Sequence, residues 1–236
     1  MLTNNITGTI FDVKSIGELC HKYDAYYIMD CTASIGHNSI PEGVEDYCDC
    51  IIMSAHKFHG PSGVGCMWIS SRLAEHLYLP EDTHDEYGLI PGTPDVSGAI
   101  AMSYAMDHAI GSFSENYSHY LDLYYTLIEK LHSHGIVFTD VGDLDRKSLL
   151  TVAIFALTLP GFNADALVQF LSSRGVYISA GHSACAEHDD FRVLEAFGLT
   201  KEEASQTIRV SFCEDTTLED IDMLVDGIVS FKEKFM

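Results

Sequence analysis

Basic residues are scarce: 13 Lys plus Arg stand against 35 Asp plus Glu in 236 residues, a formal charge of −22. A surface that negative repels phosphate backbones and anionic headgroups, so neither nucleic acid nor a membrane is expected as a direct partner, whereas a basic protein is compatible. Long apolar runs are missing as well; none approaches the roughly 20 residues that cross a bilayer. The start, MLTNNITGTIFD, has neither the basic nor the apolar segment of a signal peptide. These absences lead to the expectation of a soluble, cytoplasmic protein. A second cysteine pair is lacking too: Cys48 and Cys50 stand one residue apart with no matching pair, so no metal centre is expected. The seven cysteines are odd in number and lie mostly in apolar stretches, which fits reduced thiols better than a disulfide framework.

What is present is ordinary globular material, 47% hydrophobic, enough for one large domain or two small ones. Val13, Ile16, Leu19 and Tyr23 repeat at helical spacing, and AYYIMD reads as a short buried strand ending at Asp30. IIMS and CMWIS are two further strands. Alternating strands and helices define an α/β layer structure, in which ligands collect at the carboxyl ends of strands. Helices follow over about 97–111 and 114–134, the second with Tyr117, Tyr120, Leu121, Tyr124, Ile128 and Leu131 on one face. His119, His132 and His134 on or after that helix are expected to be solvated rather than ligands. Beyond it come a strand in LLTVAIFALTLPGF, a helix capped by Asn163, a strand in VYIS, and a strand in QTIRVSFC. A last helix is opened by a Thr216-to-Glu219 capping box. The expected boundary lies near residue 113, giving domains 1–112 and 113–236.

Chemistry gathers in SAHKFHGPSGVG, where Lys57 stands between His56 and His59 and runs into glycines that let backbone approach a ligand. Lys57 is either a solvated loop lysine or an amine held for covalent work, which demands a desolvated or cation-rich site. Cys185, in SAGHSACAEH, is either an inert thiol or a loop nucleophile that His182 or His188 assists. Arg209, in the apolar strand TIRVSF, must find an anion, either a structural carboxylate or a substrate.

SAHKFHGPSGVGCMW resembles the lysine motif of the cysteine desulfurases, pyridoxal-phosphate enzymes of the class V aminotransferase group, and the likeness runs along essentially the whole chain. It implies the PLP-dependent transferase (aspartate aminotransferase-like) fold, with part of the large domain followed by a smaller α+β carboxy-terminal domain. It also implies that Lys57 binds pyridoxal 5'-phosphate covalently, that Asp30 faces the pyridine nitrogen, and that Asn5 meets the ring hydroxyl. Ser54 and His56 would hold the phosphate, and Thr93, in PGTPDV, would reach the phosphate of a neighbouring subunit in a homodimer. Arg209 would clamp the carboxylate of L-cysteine and Cys185 would take its sulfur as a persulfide. Alanine is then released, and the sulfur passes to an acceptor or scaffold protein for iron–sulfur clusters or thiolated tRNA.

The family pattern also has an upstream region with a phosphate loop and a ring-stacking histidine, whereas this sequence starts just ahead of Asn5. A homodimer or a complementing amino-terminal chain is therefore expected. Ala33 stands where many relatives have glutamine, Ile90 where arginine is usual, and His182 is an extra residue in the cysteine loop. Two other readings remain open: another class V reaction, such as transamination or selenocysteine lysis, and an inactive truncated relative serving as a binding subunit.

Overall fold

Short polar side chains set where the helices begin. Asp12 accepts from Ser15 N at 3.1 Å and opens α1, Val13–Lys22. The helix then meets β1 (Ile28–Asp30), β2 (Cys50–Ser54) and β3 (Gly65–Ile69), which form a sheet in that order. β1 and β2 are parallel, and β3 returns antiparallel. A short α2 (Ser71–Ala74) and a long α3 (Val96–Gly111) complete this part, followed by α4 (Phe113–Ser133). The computed structural model describes residues 1–77, 89, 92–142, 151–181 and 190–236.

After α4 come β4 (Thr139–Asp140), β5 (Ile154–Thr158), α5 (Ala164–Ser172), β6 (Ser179–Ala180), α6 (Arg192–Ala196), α7 (Lys201–Ser205), β7 (Thr207–Ser211) and α8 (Leu218–Phe235). The four strands pair antiparallel in the order β4-β5-β7-β6. β5 is buried along its whole length, as befits a central strand. Leu123, Leu127 and Leu131 of α4, Leu167 and Leu171 of α5, and Ile221, Leu224, Val225 and Ile228 of α8 pack with it into one core. In the other part a smaller core joins Ala55 and Phe58 to Met102 and Ala109 of α3.

The chain divides into two compact units between Phe113 and Ser114, with one exchange: Thr3–Ile10 belongs to the second unit. The expected first domain, 1–112, included those residues. Local bonding explains the difference, because Thr151 N donates to Gly8 O at 3.0 Å and a Cβ at Gly8 would meet the Ile154 backbone.

Other expectations shift in detail. Val13 and Gly17 are the buried positions of α1, while Leu19 and Tyr23 are exposed; the helix approaches Tyr47 so closely at Gly17 that the glycine, not a larger apolar residue, marks its inner face. The last helix is capped by Thr217, which exchanges bonds with Asp220, one residue beyond the expected box. Cys50 begins β2, but Cys48 precedes the strand; both are buried.

Candidate functional site

Asp30 is the last residue of β1 and pairs in register with Ile52, two positions before Ser54 ends β2. Two adjacent parallel strands thus deliver a carboxylate and a hydroxyl at the same end. Asp30 is half-buried, and its Oδ1 accepts from Thr32 N at 2.8 Å, which steadies the carboxylate beyond the strand. Beyond Ser54, a 3-10 turn spans Ala55–Lys57. Ala55 and Phe58 are buried in the small core, so the intervening His56 and Lys57 face outward and are exposed. Phe58 N and Gly60 N both donate to Ala55 O, at 3.0 and 2.9 Å, and Ala55 N donates to Val64 O at 3.0 Å. The lysine therefore sits on a tightly bonded loop. A Cβ at Gly65 would lie 2.8 Å from Met53 O, so this position of the glycine run needs glycine.

Ser54 Oγ and His56 Nδ1 lie 3.0 Å apart, a hydrogen-bonded pair offering a hydroxyl and an imidazole to an anion. The pKa of His37 is pushed down by burial, opposed by a hydrogen bond with the Ala33 backbone and aided by the positive charges of His59 and Lys57. A neutral imidazole is thereby favoured next to the lysine, with no further cation added. Thr93 is exposed and lies just before Asp95, whose carboxylate caps α3 by accepting from Gly98 N at 2.9 Å.

The second unit contains the remaining described candidates. Asn4 is buried, and its Oδ1 accepts from Ile6 N and Thr7 N at 2.9 and 3.0 Å, so it organises the turn. Asn5 is exposed, and its carbonyl accepts from Arg209 Nη1 at 3.1 Å. Arg209 Nη2 donates to Ser179 Oγ at 3.0 Å, while its buried Nε has no partner among the described residues. Burial draws the Arg209 pKa below its ordinary value. No structural carboxylate pairs with Arg209 among the described residues. A desolvated guanidinium held only by neutral oxygens suits an incoming carboxylate.

Cys185, His182, His188 and Ile90 lie outside the described residues. Asn4, Ser179 and His37 were not singled out by sequence reasoning. The doublet Asn4-Asn5 signals a polar turn, but only the hydrogen bonds tell which amide is structural. His37 follows Gly36 in a stretch without a motif of its own, and Ser179 contributes only through the register of β6 with β7.

A strand-end carboxylate beside a turn that presents lysine, histidine and serine defines an α/β protein with an amine-centred, anion-accepting site. The chain belongs to the aminotransferase class-V family, whose model matches residues 1–224. It is 31% identical over 231 residues to a cysteine desulfurase IscS of Clostridium botulinum (strain Kyoto / Type A2), a match covering 96% of this chain and 56% of that protein. It is 31% identical over 239 residues to a cysteine desulfurase IscS of Vibrio vulnificus (strain CMCP6), covering 99% of this chain and 57% of that one. Among solved structures, a NifS-like protein superposes with a TM-score of 0.83 at 27% identity over 99% of this chain and 60% of its own. The NifS-like protein of Rickettsia africae shares the fold, with a TM-score of 0.80 at 22% identity, covering 98% of this chain and 60% of its own. The chain thus spans a little over half the length of the relatives it matches. Among the described residues, no helix is long and apolar enough to cross a membrane, and no group of His, Cys, Asp and Glu is arranged to hold a metal ion.

Proposed function

We propose that this chain binds pyridoxal 5'-phosphate through Lys57 and takes part in the desulfuration of L-cysteine. The observation that carries the reading is the placement of Asp30 and of the Ser54–His56–Lys57 turn at the carboxyl ends of the paired parallel strands β1 and β2. The donor set fits the group: a primary amine for its aldehyde, a carboxylate for its ring nitrogen, and a hydroxyl–imidazole pair for its phosphate. When bound, the cofactor supplies an electron sink.

The residues of the chain do the rest. Asp30 is pre-oriented by Thr32 N and holds a proton at the ring nitrogen by its negative charge. Lys57 projects from a loop whose Ala55 and Phe58 anchors limit its motion. Thr93 contributes to the phosphate site of a partner copy, and Asn5 offers its side-chain amide to the ring hydroxyl. Arg209 receives the substrate carboxylate through its guanidinium. Cys185 takes the sulfur, so that L-cysteine and the Cys185 thiol give alanine and the Cys185 persulfide, a balanced exchange. The active assembly is a homodimer, and the persulfide passes to an acceptor protein.

The test is turnover of the cofactor-loaded chain with L-cysteine. Alanine and one persulfide per chain are expected, with both lost in Lys57→Ala and the persulfide lost in Cys185→Ser. Persulfide surviving in Cys185→Ser, or alanine forming equally well in Lys57→Ala, would sink the reading.

A further inference from the structure

The tyrosine-rich face of α4 is divided between two tasks. Tyr120, Leu123, Leu127 and Leu131 are buried in the core. Tyr117, Leu121, Tyr124 and Ile128 instead line a partly open cavity of about 540 Å³ within the second unit, with Phe138 and Asp140 on its other walls. That volume is in the range of sites for small organic molecules, roughly 300–1,000 Å³. Its walls are mainly aromatic and aliphatic, and edge-to-face contacts fix their rings: Tyr124 meets Phe155 at 5.0 Å and Tyr125 at 5.6 Å between centroids.

One wall residue does not suit an apolar filling. Asp140 on β4 is only 7% exposed. Its Oδ2 accepts from Tyr124 OH at 2.6 Å, but its Oδ1 is buried with no partner among the described residues. None of the ion pairs among those residues involves it. Burial raises the Asp140 pKa, with the Tyr124 hydrogen bond opposing. A buried carboxylate left half-satisfied is costly, and a cation among aromatic rings is favoured. The other titratable groups on the wall are tyrosines and His132, whose ring lies 4.8 Å from that of Phe138.

We propose that this cavity binds a small amine with an aromatic or branched apolar body, its ammonium drawn to the negative charge of the Asp140 carboxylate and its body packing against Leu121 and Ile128. The site uses none of the residues assigned to cofactor or substrate above, so it stands apart from the proposed desulfuration.

The test compares benzylamine with benzyl alcohol, a neutral ligand of nearly the same shape, titrated into the full chain at about pH 7. Methyl signals of Leu121 and Ile128 report the location. Benzylamine is expected to shift those signals and to bind at least about tenfold more tightly than the alcohol, as a charge-assisted hydrogen bond allows. Asp140→Asn, which keeps an acceptor for Tyr124, is expected to erase the preference. Equal binding of the two ligands, binding of neither, or shifts elsewhere would overturn the proposal. So would a folded Asp140→Asn protein, checked by circular dichroism, that still prefers the amine. The ligand comparison needs no variant, so a variant that failed to fold would leave the proposal testable.

Discussion

Arg209 Nη1 donates to the carbonyl of Asn5 at 3.1 Å, joining β7 to a turn 204 positions earlier in the sequence. Besides the carboxylate-binding role proposed for it, the arginine therefore holds the amino-terminal turn in the second unit. Arg209→Gln is expected to lower stability by about 1.5–3 kcal/mol, the range for hydrogen bonds of a charged group, as measured by urea unfolding. Arg209→Lys keeps the charge but not the fork, and should restore only part of the loss.

Asp140 predicts a pH signature. Its carboxyl has a raised pKa in the folded state because of burial, so the folded chain binds its proton more tightly than the unfolded chain does. The sign follows from linkage: the contribution is fully present below the ordinary aspartate value and is lost as pH rises through the raised folded value. Wild type should thus lose stability relative to Asp140→Asn as pH rises from about 3 toward neutrality, where the ordinary carboxyl range is crossed. Parallel unfolding curves of the two proteins at each pH would contradict this.

Gly8 sits at φ +72°, where a side chain is strained, and a Cβ there would press on the backbone carbonyl of Ile154. Gly8→Ala is expected to cost about 2 kcal/mol or more, from left-handed backbone strain and overpacking together. Hydrogen exchange of the Thr151 amide, which donates to Gly8 O, should accelerate beyond the global change.

Arg72 bridges two acids of opposite exposure. Its Nη1 contacts both oxygens of Asp49 at 2.9 Å, while its Nη2 meets Asp24 at 3.0 Å. The Asp49 side chain is 2% exposed and that of Asp24 98%. Arg72→Ala leaves a buried carboxylate without its cation and should lower stability clearly more than Asp24→Ala, which removes only an exposed partner. Denaturant midpoints of the two variants check the ordering.

The sequence disclosed most where chemistry and local pattern coincide. The Lys57 turn, the strand-end Asp30 and the division near residue 113 could be read from short motifs and from spacing. What escaped depended on neighbours distant in the chain. Periodicity put Tyr117 and Tyr120 on one face of α4, but only the packing of β4 and β5 decides which tyrosine enters the core and which lines a cavity. Leu19 repeats at helical spacing yet is exposed, because the close approach of Tyr47 makes Gly17 the inner position. Adjacent candidates defeated local rules too: Thr216 and Thr217 are both plausible caps, as Asn4 and Asn5 are both plausible ligands, and the hydrogen bonds separate each pair.

The central claim is that Lys57 is the amine to which pyridoxal phosphate attaches. The most direct test incubates the chain with the cofactor, reduces with borohydride, and maps the added mass by peptide mass spectrometry. Attachment confined to the Lys57 peptide, with the accompanying absorbance band lost in Lys57→Ala, is the predicted result. No attachment, or attachment spread over other lysines and unchanged in Lys57→Ala, would contradict it.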